Sequence, residues 1–597
     1  MVRALTWVLI GVVCYMLVAT ALSSRRVLPE YVNVSGPITT LRTQRGKAFL
    51  DWLAGPRRFW RAWGNFGVGI ALVVMAGSFL LIMTAAYSVF TNPPEATAIN
   101  QPRNVLVIPG VNDFLPLSAA PEIVFGLLIG LVVHEGGHGL LCRVEDIEID
   151  SMGLAFLTLI PIGAFVEPDE QNREKADRGG QTRMFAAGVT NNFAVSLLAF
   201  LLLFGPVVGA ITPVAGVTVG NTLPGTPVTQ AGIERGDVIT AAGGQPIANE
   251  SDLDATLADA DRQVTLTVRN DGEQRQVEVT RSLVVTGAVP GAVPGIDVSG
   301  RDPPEIVAVN GTEVHTQSGF ERALRDRTVA TIRTANGTTA TAPMGAYSAQ
   351  VAEDGPLADA SAPIGSSIII TRIDGERIVD GAGLRETLAN RDPGERVSIE
   401  AYVDGERQSY DVELGRNQRT GGGLVGVAGV QPGISGLTVT DLGIDPYPTE
   451  QFLGLLGGGA DGFSIGSFLS RAGTVLFLPL ANAVPGLGLS YNFAGFVGPV
   501  TNFYTIQGPL SILGGGVFTL ANVLFWAGWI NVQLAFFNCI PTFPLDGGHI
   551  LRTSTEAIVS RLPGSFSHDL TSAVTTAVSL TMLAGLILMI FGPQLLG

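Results

Sequence analysis

The sequence predicts an α-helical polytopic membrane protein, with about six transmembrane helices and room for eight, carrying extracytoplasmic α+β domains between its two membrane halves. Three observations predict it. Apolar residues come in long blocks, several of them reaching the roughly 20 residues that a helix needs to cross a bilayer. Only 15% of the 597 residues are charged, which is low for a soluble chain. The formal net charge of −16 is concentrated between about Thr212 and Arg419, where short alternating segments replace the long apolar blocks.

The charge balance excludes a nucleic-acid partner, which needs a basic face. Lysine occurs only at positions 47 and 175. An acidic, lysine-poor surface fits a high-salt cell, where carboxylates keep proteins soluble, and the expected source is a halophilic archaeon. The three cysteines, Cys14, Cys142 and Cys539, all lie in or beside apolar segments. They build no disulfide framework in the hydrophilic part. A helix would put Cys142 on the face of His138, but core packing is the expected role of this thiol.

In chain order, residues 1–65 form an N-terminal anchor span (4–22) and a basic cytoplasmic segment. Arg25, Arg26, Arg42, Arg45, Lys47, Arg57, Arg58 and Arg61 place that segment inside the cell. Trp52, Phe59, Trp60 and Trp63, interleaved with these cations, predict a helix lying at the membrane interface. Residues 66–211 form the first membrane half, with spans at 66–90, 121–142 and 184–211. Between the last two, residues 153–166 are apolar but too short to span, and hold Pro161 and two glycines. They predict a re-entrant β-hairpin, whose backbone is tolerated at membrane depth only inside a protein-lined cavity. Its second strand, Gly163, Ala164 and Phe165, is the expected partner of an unwound substrate strand. Residues 421–597 form the second membrane half, with spans at 515–537 and 570–591; residues 469–484 read as a span or a surface helix.

The hydrophilic middle repeats itself. Ile239, Ile247, Leu253 and Leu257 recur with identical spacing as Ile306, Val314, Phe320 and Leu324, and again as Ile370, Ile378, Leu384 and Leu388. Each set has a Gly-containing turn between its first two members, at Gly243-Gly244, Asn310-Gly311 and Asp374-Gly375. The pattern reads as strand, turn, strand and short helix. It resembles PDZ domains, and the lead from Pro224-Gly225 to Asp237 resembles a PDZ peptide-binding loop. The third copy has a similar lead and the middle copy does not. Two PDZ-like domains, at 212–285 and 286–420, are therefore expected, the second stretch holding the second and third repeats, with three partial domains as the alternative. The resemblance implies peptide C-termini as their partners.

The chemistry starts at His134-Glu135-Gly136-Gly137-His138. On a helix, HExxH puts two imidazoles one turn apart on one face, where they can share a Zn²⁺, with the glutamate as general base. Ionisable residues in an apolar span are costly and read as functional. A catalytic zinc needs a third protein ligand and an open position. Asp546 is the candidate, because Pro541 and Pro544 break the helix before it and Gly547-Gly548 free the backbone after it. His549 is a rival ligand, weaker because a carboxylate suits a two-His site.

These segments resemble the site-2 protease family of intramembrane metalloproteases, which carries three motifs in this order: HEGGH, then Gly188 to Phe193 with Asn192, then Asn538 to Gly548 with its Leu-Asp-Gly core. The chain departs at Val189, where the family often has proline. The resemblance implies zinc bound by His134, His138 and Asp546, with Glu135 as general base. It implies Asn192 near the scissile carbonyl as oxyanion stabiliser, and Asn538 holding the substrate backbone. The implied function is zinc-dependent endoproteolysis of single-span transmembrane proteins within membrane lipid, in regulated intramembrane proteolysis. A non-proteolytic PDZ scaffold conflicts with an intact HExxH and Asp546. A metal transporter needs acidic or His residues along several spans, and these are missing. Topology adds a constraint: Asp546 meets the imidazoles only if zero or two spans lie between the hydrophilic module and residue 515.

Overall fold

The computed structural model describes residues 2–25, 27–29, 31–94, 101, 104, 108–112, 114–158, 160–298, 303–418, 420–457, 464–484, 487–561 and 567–596. The chain divides into two compact units. One, the membrane unit, comprises Met1–Thr212, Glu450–Gly498 and Ile506–Gly597; the other, the insert, comprises Pro213–Thr449 and Pro499–Thr505. The expected boundary at 420/421 is therefore corrected to about residue 450.

Among the described residues five helices are long and apolar enough to cross a bilayer: Arg57–Thr91, Leu117–Val144, Arg178–Ala210, Gly516–Asn538 and Asp569–Leu596. The expected sixth is the N-terminal helix α1 (Val2–Ser24), whose side chains before Ile10 lie outside the described residues. Residues 469–484 do not span. They split into a helix, Ile465–Val475, and a 3₁₀ segment, Leu478–Ala483, because Pro479 interrupts the run. No span lies among the described residues between Glu450 and Gly516.

The basic segment differs from its expectation of a single interfacial helix. It folds as a hairpin, β1 (Val32–Ser35) and β2 (Ile38–Arg42), followed by helix α2 (Gln44–Leu53). Thr43 caps α2 by accepting from the Gly46 N–H. Phe59, Trp60 and Trp63 belong instead to the first turns of the spanning helix α3 (Arg57–Thr91). The cations also have local partners: Arg57 grips Asp146 with two 2.8 Å bonds, Arg61 and Arg183 share Glu145, and Arg143 pairs with Asp51. These pairs close the end of helix α4 (Ala120–Val144).

The expected hairpin is present as β3 (Ile149–Leu157) and β4 (Ile160–Pro168), paired antiparallel; its tip at residue 159 lies outside the described residues. It is not isolated. The sheet order is β1-β2-β3-β4, which leaves β4 as an edge strand. A short helix α5 (Glu170–Lys175) leads to α6 (Arg178–Leu202), which ends in a π turn at Pro206. The second half supplies α7 (Gly516–Asn538), α8 (Asp546–Val559) and α9 (Ser567–Leu596).

Small residues let these helices approach. A Cβ on Gly126 of α4 would stand 3.0 Å from the Trp526 backbone of α7, and one on Gly137 would stand 2.9 Å from the Ala187 carbonyl of α6. Close backbone contact of this kind is the usual cement between spanning helices, since lipid is as apolar as the side chains.

Among its described residues the insert has three six-stranded sheets with one strand order, beside a two-stranded one at Gly415–Arg416 and Gly423–Leu424. The repeat residues are their cores: Ile239, Ile247, Leu253 and Leu257 in the first, Ile306, Val314, Phe320 and Leu324 in the second, Ile370, Ile378 and Leu384 in the third. The Gly-containing turns all carry two consecutive positive-φ residues (Gly243-Gly244, Asn310-Gly311, Asp374-Gly375), the backbone of a tight hairpin. The middle copy thus has the strand order of its neighbours, but among the described residues it lacks the short helix that follows the first strand in the first (Pro227–Gln230) and third (Pro356–Asp359) copies; of the two counts left open by the sequence, the described residues hold three sheets. The first strand of the middle copy, Leu283–Ala288, straddles the expected 285/286 boundary. One segment then runs back through all three. Val427–Val430 pairs with Ala346–Val351 of the third sheet, Leu437–Thr440 with Leu283–Ala288 of the second, and Ile444–Pro446 with Val217–Thr222 of the first.

Candidate metal centre

Helix periodicity sets the first two groups. His134 and His138 lie one turn apart on α4, with their Nε2 atoms 3.2 Å apart and their rings edge to face. The third arrives from the other membrane half. The chain leaves α7 at Asn538, breaks over Pro541 and Pro544, and restarts as α8 with Asp546 in the first turn, where the helix dipole favours a carboxylate. Asp546 Oδ2 lies 3.1 Å from His134 Nε2 and 3.3 Å from His138 Nε2.

The donor set fits a zinc ion. A tetrahedral shell with bonds of about 2.0–2.1 Å places its ligand atoms about 3.3 Å apart, close to the spacing of these three buried or nearly buried atoms. Asp546 Oδ2 is buried without a hydrogen-bond donor, which leaves its lone pairs free for an ion. The imidazoles are also held for the task. His138 Nδ1 stands 2.8 Å from the Met184 carbonyl, which accepts its proton and leaves Nε2 with a free lone pair.

Asn192 is fully buried, and its amide stands 3.2 Å from His134 Nδ1, while its Oδ1 has no partner. The two ends of an amide are interchangeable in such an assignment. With the amide turned over, its oxygen accepts from His134 Nδ1–H, and that ring nitrogen is satisfied. The geometry thus joins Asn192 to a candidate ligand rather than to the cavity beside Glu135.

Glu135 stays outside the triad. Its Oε2 accepts from the Val166 N–H of β4 at 3.1 Å, and its side chain lines a cavity of about 640 Å³ together with Ala164 and Phe165. Gly163 is buried nearby, with only Leu131 near its Cβ position. Asn538 gives its amide to Leu534 of its own helix at 2.9 Å. His549 is absent from the triad; it stacks on Phe185 at 4.4 Å and packs edge-on to Phe543. Cys142 is fully buried in an apolar cluster, so packing is its role.

The reason expected for Gly547-Gly548 needs correction. Neither has positive φ. A Cβ on Gly547 would collide with the Cys539 and Ile540 carbonyls, and one on Gly548 with that of Thr542 at 2.7 Å. The pair allows α8 to start directly against the broken turn.

Sequence reasoning gave no role to three residues, although Asn191 stood out beside Asn192 as a second asparagine of the same motif. Gly188 faces both imidazoles: a Cβ there would stand 2.6 Å from His138 Nε2 and 2.8 Å from His134 Cε1. Asn191 accepts from Trp63 Nε1 at 2.9 Å and lines the cavity beside Glu135. Asn531 is buried on α7 with an orphan Oδ1. Gly188 stood inside a quoted motif, and a search for small residues opposite HExxH would have singled it out.

The profile of peptidase family M50 matches residues 122–583. An uncharacterized protein of Methanocaldococcus jannaschii is 30% identical over 167 residues, which are 27% of this chain and 42% of that protein, less than half its length. A candidate zinc metalloprotease of Vibrio cholerae is 22% identical over 476 residues, covering 74% of this chain and 90% of the relative. Among solved structures, the PDZ domain of the SdrC-like protein of Listeria monocytogenes is 24% identical, covering 14% of this chain and 84% of that one with a TM-score of 0.13. The family profile takes in both membrane halves and every residue of the triad, and the protein belongs to peptidase family M50, the site-2 proteases.

Proposed function

We propose that this protease is an intramembrane zinc endopeptidase that cuts single-span transmembrane proteins. The observation that carries the reading is the meeting of His134, His138 and Asp546, some four hundred residues apart in sequence, within 3.3 Å of one another amid apolar helices. These three side chains would hold the ion. When bound, zinc supplies a Lewis acid for the scissile carbonyl and for the attacking water.

The chain's own residues do the rest. Glu135 takes the water's proton on its carboxylate and returns it to the leaving amine. The Val166 N–H fixes one oxygen of that carboxylate. Asn192 holds the ring of His134 through Nδ1. An oxyanion role for Asn192 has less support, since its amide already faces that ring. A spanning substrate helix must unwind before a peptide bond is exposed. The Val166 N–H points away from β3, so by alternation the main chain of Ala164 shares that outer edge. An unwound strand adding there passes alongside Glu135. Asn538 is assigned to the substrate backbone by family resemblance alone.

The arginine-rich side near Asp146 is read as cytoplasmic and the insert as extracytoplasmic, where its three units would admit or bind peptide ends. Glu135→Gln in the full-length protein tests the reading. Metal content should stay at one zinc per chain, and cleavage of a membrane-tethered reporter should vanish. Cleavage at the wild-type rate would reject the mechanism.

A further inference from the structure

The cavity beside Glu135 has a wall that the family profile does not cover. Of its lining, Phe49, Leu50 and Trp60 precede residue 122, where the profile begins. They come from α2 and the first turns of α3. This wall is tied to the β-sheet: the Thr43 N–H donates to the Met152 carbonyl at 2.9 Å, and Lys47 Nζ to the Asp150 carbonyl at 2.8 Å. Trp60 is fixed by its Nε1–H on the Leu53 carbonyl at 2.8 Å. The cavity is therefore a built feature rather than a gap between loose segments.

Its opposite side is the active helix. The two glycines of HEGGH behave differently. Gly137 is forced by packing, because its Cβ position is taken by Asn191 and Ala187. Nothing lies within 4 Å of a Cβ on Gly136, and Gly136 lines the cavity. Packing gives no reason for glycine there. What glycine does is keep the space next to Glu135 empty. Ala164 and Val166, the edge positions of β4, line the same cavity.

The geometry points to a specificity pocket for a large apolar side chain, of leucine or phenylalanine size, on the unwound substrate strand next to the scissile bond. The inference rests on the proposed cleavage at Glu135 and extends it. The strand's main chain follows β4, and every second side chain faces α4 and α2. The pocket's volume of about 640 Å³ leaves room for such a side chain. Its apolar lining from Val132, Leu50 and Leu154 favours burial of a hydrocarbon. The occupant is a substrate side chain, not a lipid acyl chain, because the cavity is continuous with the general base and with the edge strand.

The test uses full-length protein in detergent with Glu135→Gln, so that nothing is cut. Benzoylphenylalanine replaces Phe49, whose side chain is more than half exposed and so tolerates exchange. Single-span test peptides carry phenylalanine, leucine or alanine along one helix-breaking stretch. Light should give at least tenfold more adduct with the phenylalanine and leucine peptides than with the alanine peptide. Equal yields, or adducts with added phospholipid alone, overturn the pocket. A second arm keeps Glu135 and introduces Gly136→Val, which fills the space. Zinc content should be unchanged, and the preference in kcat/KM for phenylalanine over alanine should fall at least tenfold, chiefly through KM. Retained preference with retained zinc overturns the proposal. Should Gly136→Val lose zinc, Phe49→Ala serves in its place, with a shift of preference toward larger side chains as the expected result and no shift as the overturning one. Selective crosslinking through position 49 of the Glu135→Gln protein, together with no cutting of the same peptides by the wild-type protein, would sink the protease mechanism and leave the pocket standing.

Discussion

The insert and the membrane unit solve the same packing problem with different residues. In the insert the same apolar positions recur three times and close three similar cores. In the membrane unit, apolar side chains do not mark the interior. Val73, Leu80 and Phe90 of α3 are more than half exposed, while the tight contacts are made at Gly67, Gly126, Gly137 and Gly528. Water sorts residues by hydrophobicity, so an alternating pattern reports burial in the insert. Lipid does not, so size decides instead. The lesson is that a mutation of given chemistry should hurt the two regions in different ways.

The largest effect is expected from the smallest change. Gly188→Ala puts a methyl group against both imidazoles. It should lower metal affinity by more than the roughly 10–100-fold typical of an outer-shell change and abolish cleavage, while thermal unfolding of the insert stays in place. Elemental analysis and circular dichroism read the two. Normal zinc content would show that α6 can withdraw, and would break the claim that size governs this unit.

The insert's counterpart is Arg281, 1% exposed, which donates to Asp441 and to the Leu257 and Ala260 carbonyls. Arg281→Met should cost about 3–5 kcal/mol of stability, because it strands a buried carboxylate. Metal content should not move. The double change with Asp441→Leu should recover part of the loss. If it does not, the carbonyl contacts of Arg281 matter more than the charge pair.

Asn192→Ala should weaken zinc binding by about 10–100-fold, measured by competition with a chelator, and Asn192→Asp should restore much of it by keeping an acceptor for His134 Nδ1–H. A fall in kcat with unchanged metal affinity would return Asn192 to the oxyanion role.

The smallest effect concerns the insert's acidity. Burial, aided by Asp380, Asp254 and Asp441, raises the pKa of the Glu321 carboxyl above its ordinary value. A carboxyl raised by folding gives stability that is fully present below its unfolded pKa and is lost as pH rises through the folded one. Glu321→Gln should therefore raise the unfolding midpoint slightly at pH 7 and leave it unchanged at pH 4. A lower midpoint at pH 7 would mean that the Gln317 contact outweighs the repulsion.

Much of this was legible in advance, for reasons that differ by region. HEGGH carries its own geometry, because a helix places i and i+4 on one face whatever surrounds it. The repeat carried its own cores. The N-terminal segment misled, because arginines and tryptophans near a membrane read as an interfacial helix, while their partners Asp146 and Glu145 come from the turn after α4 and the Leu53 carbonyl from the end of α2, positions that no local pattern reveals. The standing of the middle repeat stayed open between two units and three because its lead lacks the turn sequence, although its core residues were all present.

The sequence alone determined which segments are apolar enough to span, that two imidazoles share a helix face, and that three copies of one apolar pattern lie between the membrane halves. Each of these is a local property, set by side-chain chemistry and backbone period. Only the tertiary structure decided that a single returning segment closes all three sheets, that Asn192 turns toward a histidine, and that Gly136 borders open space while Gly137 does not. Those facts depend on which distant residues arrive at a given surface, and that is settled by packing over the whole chain.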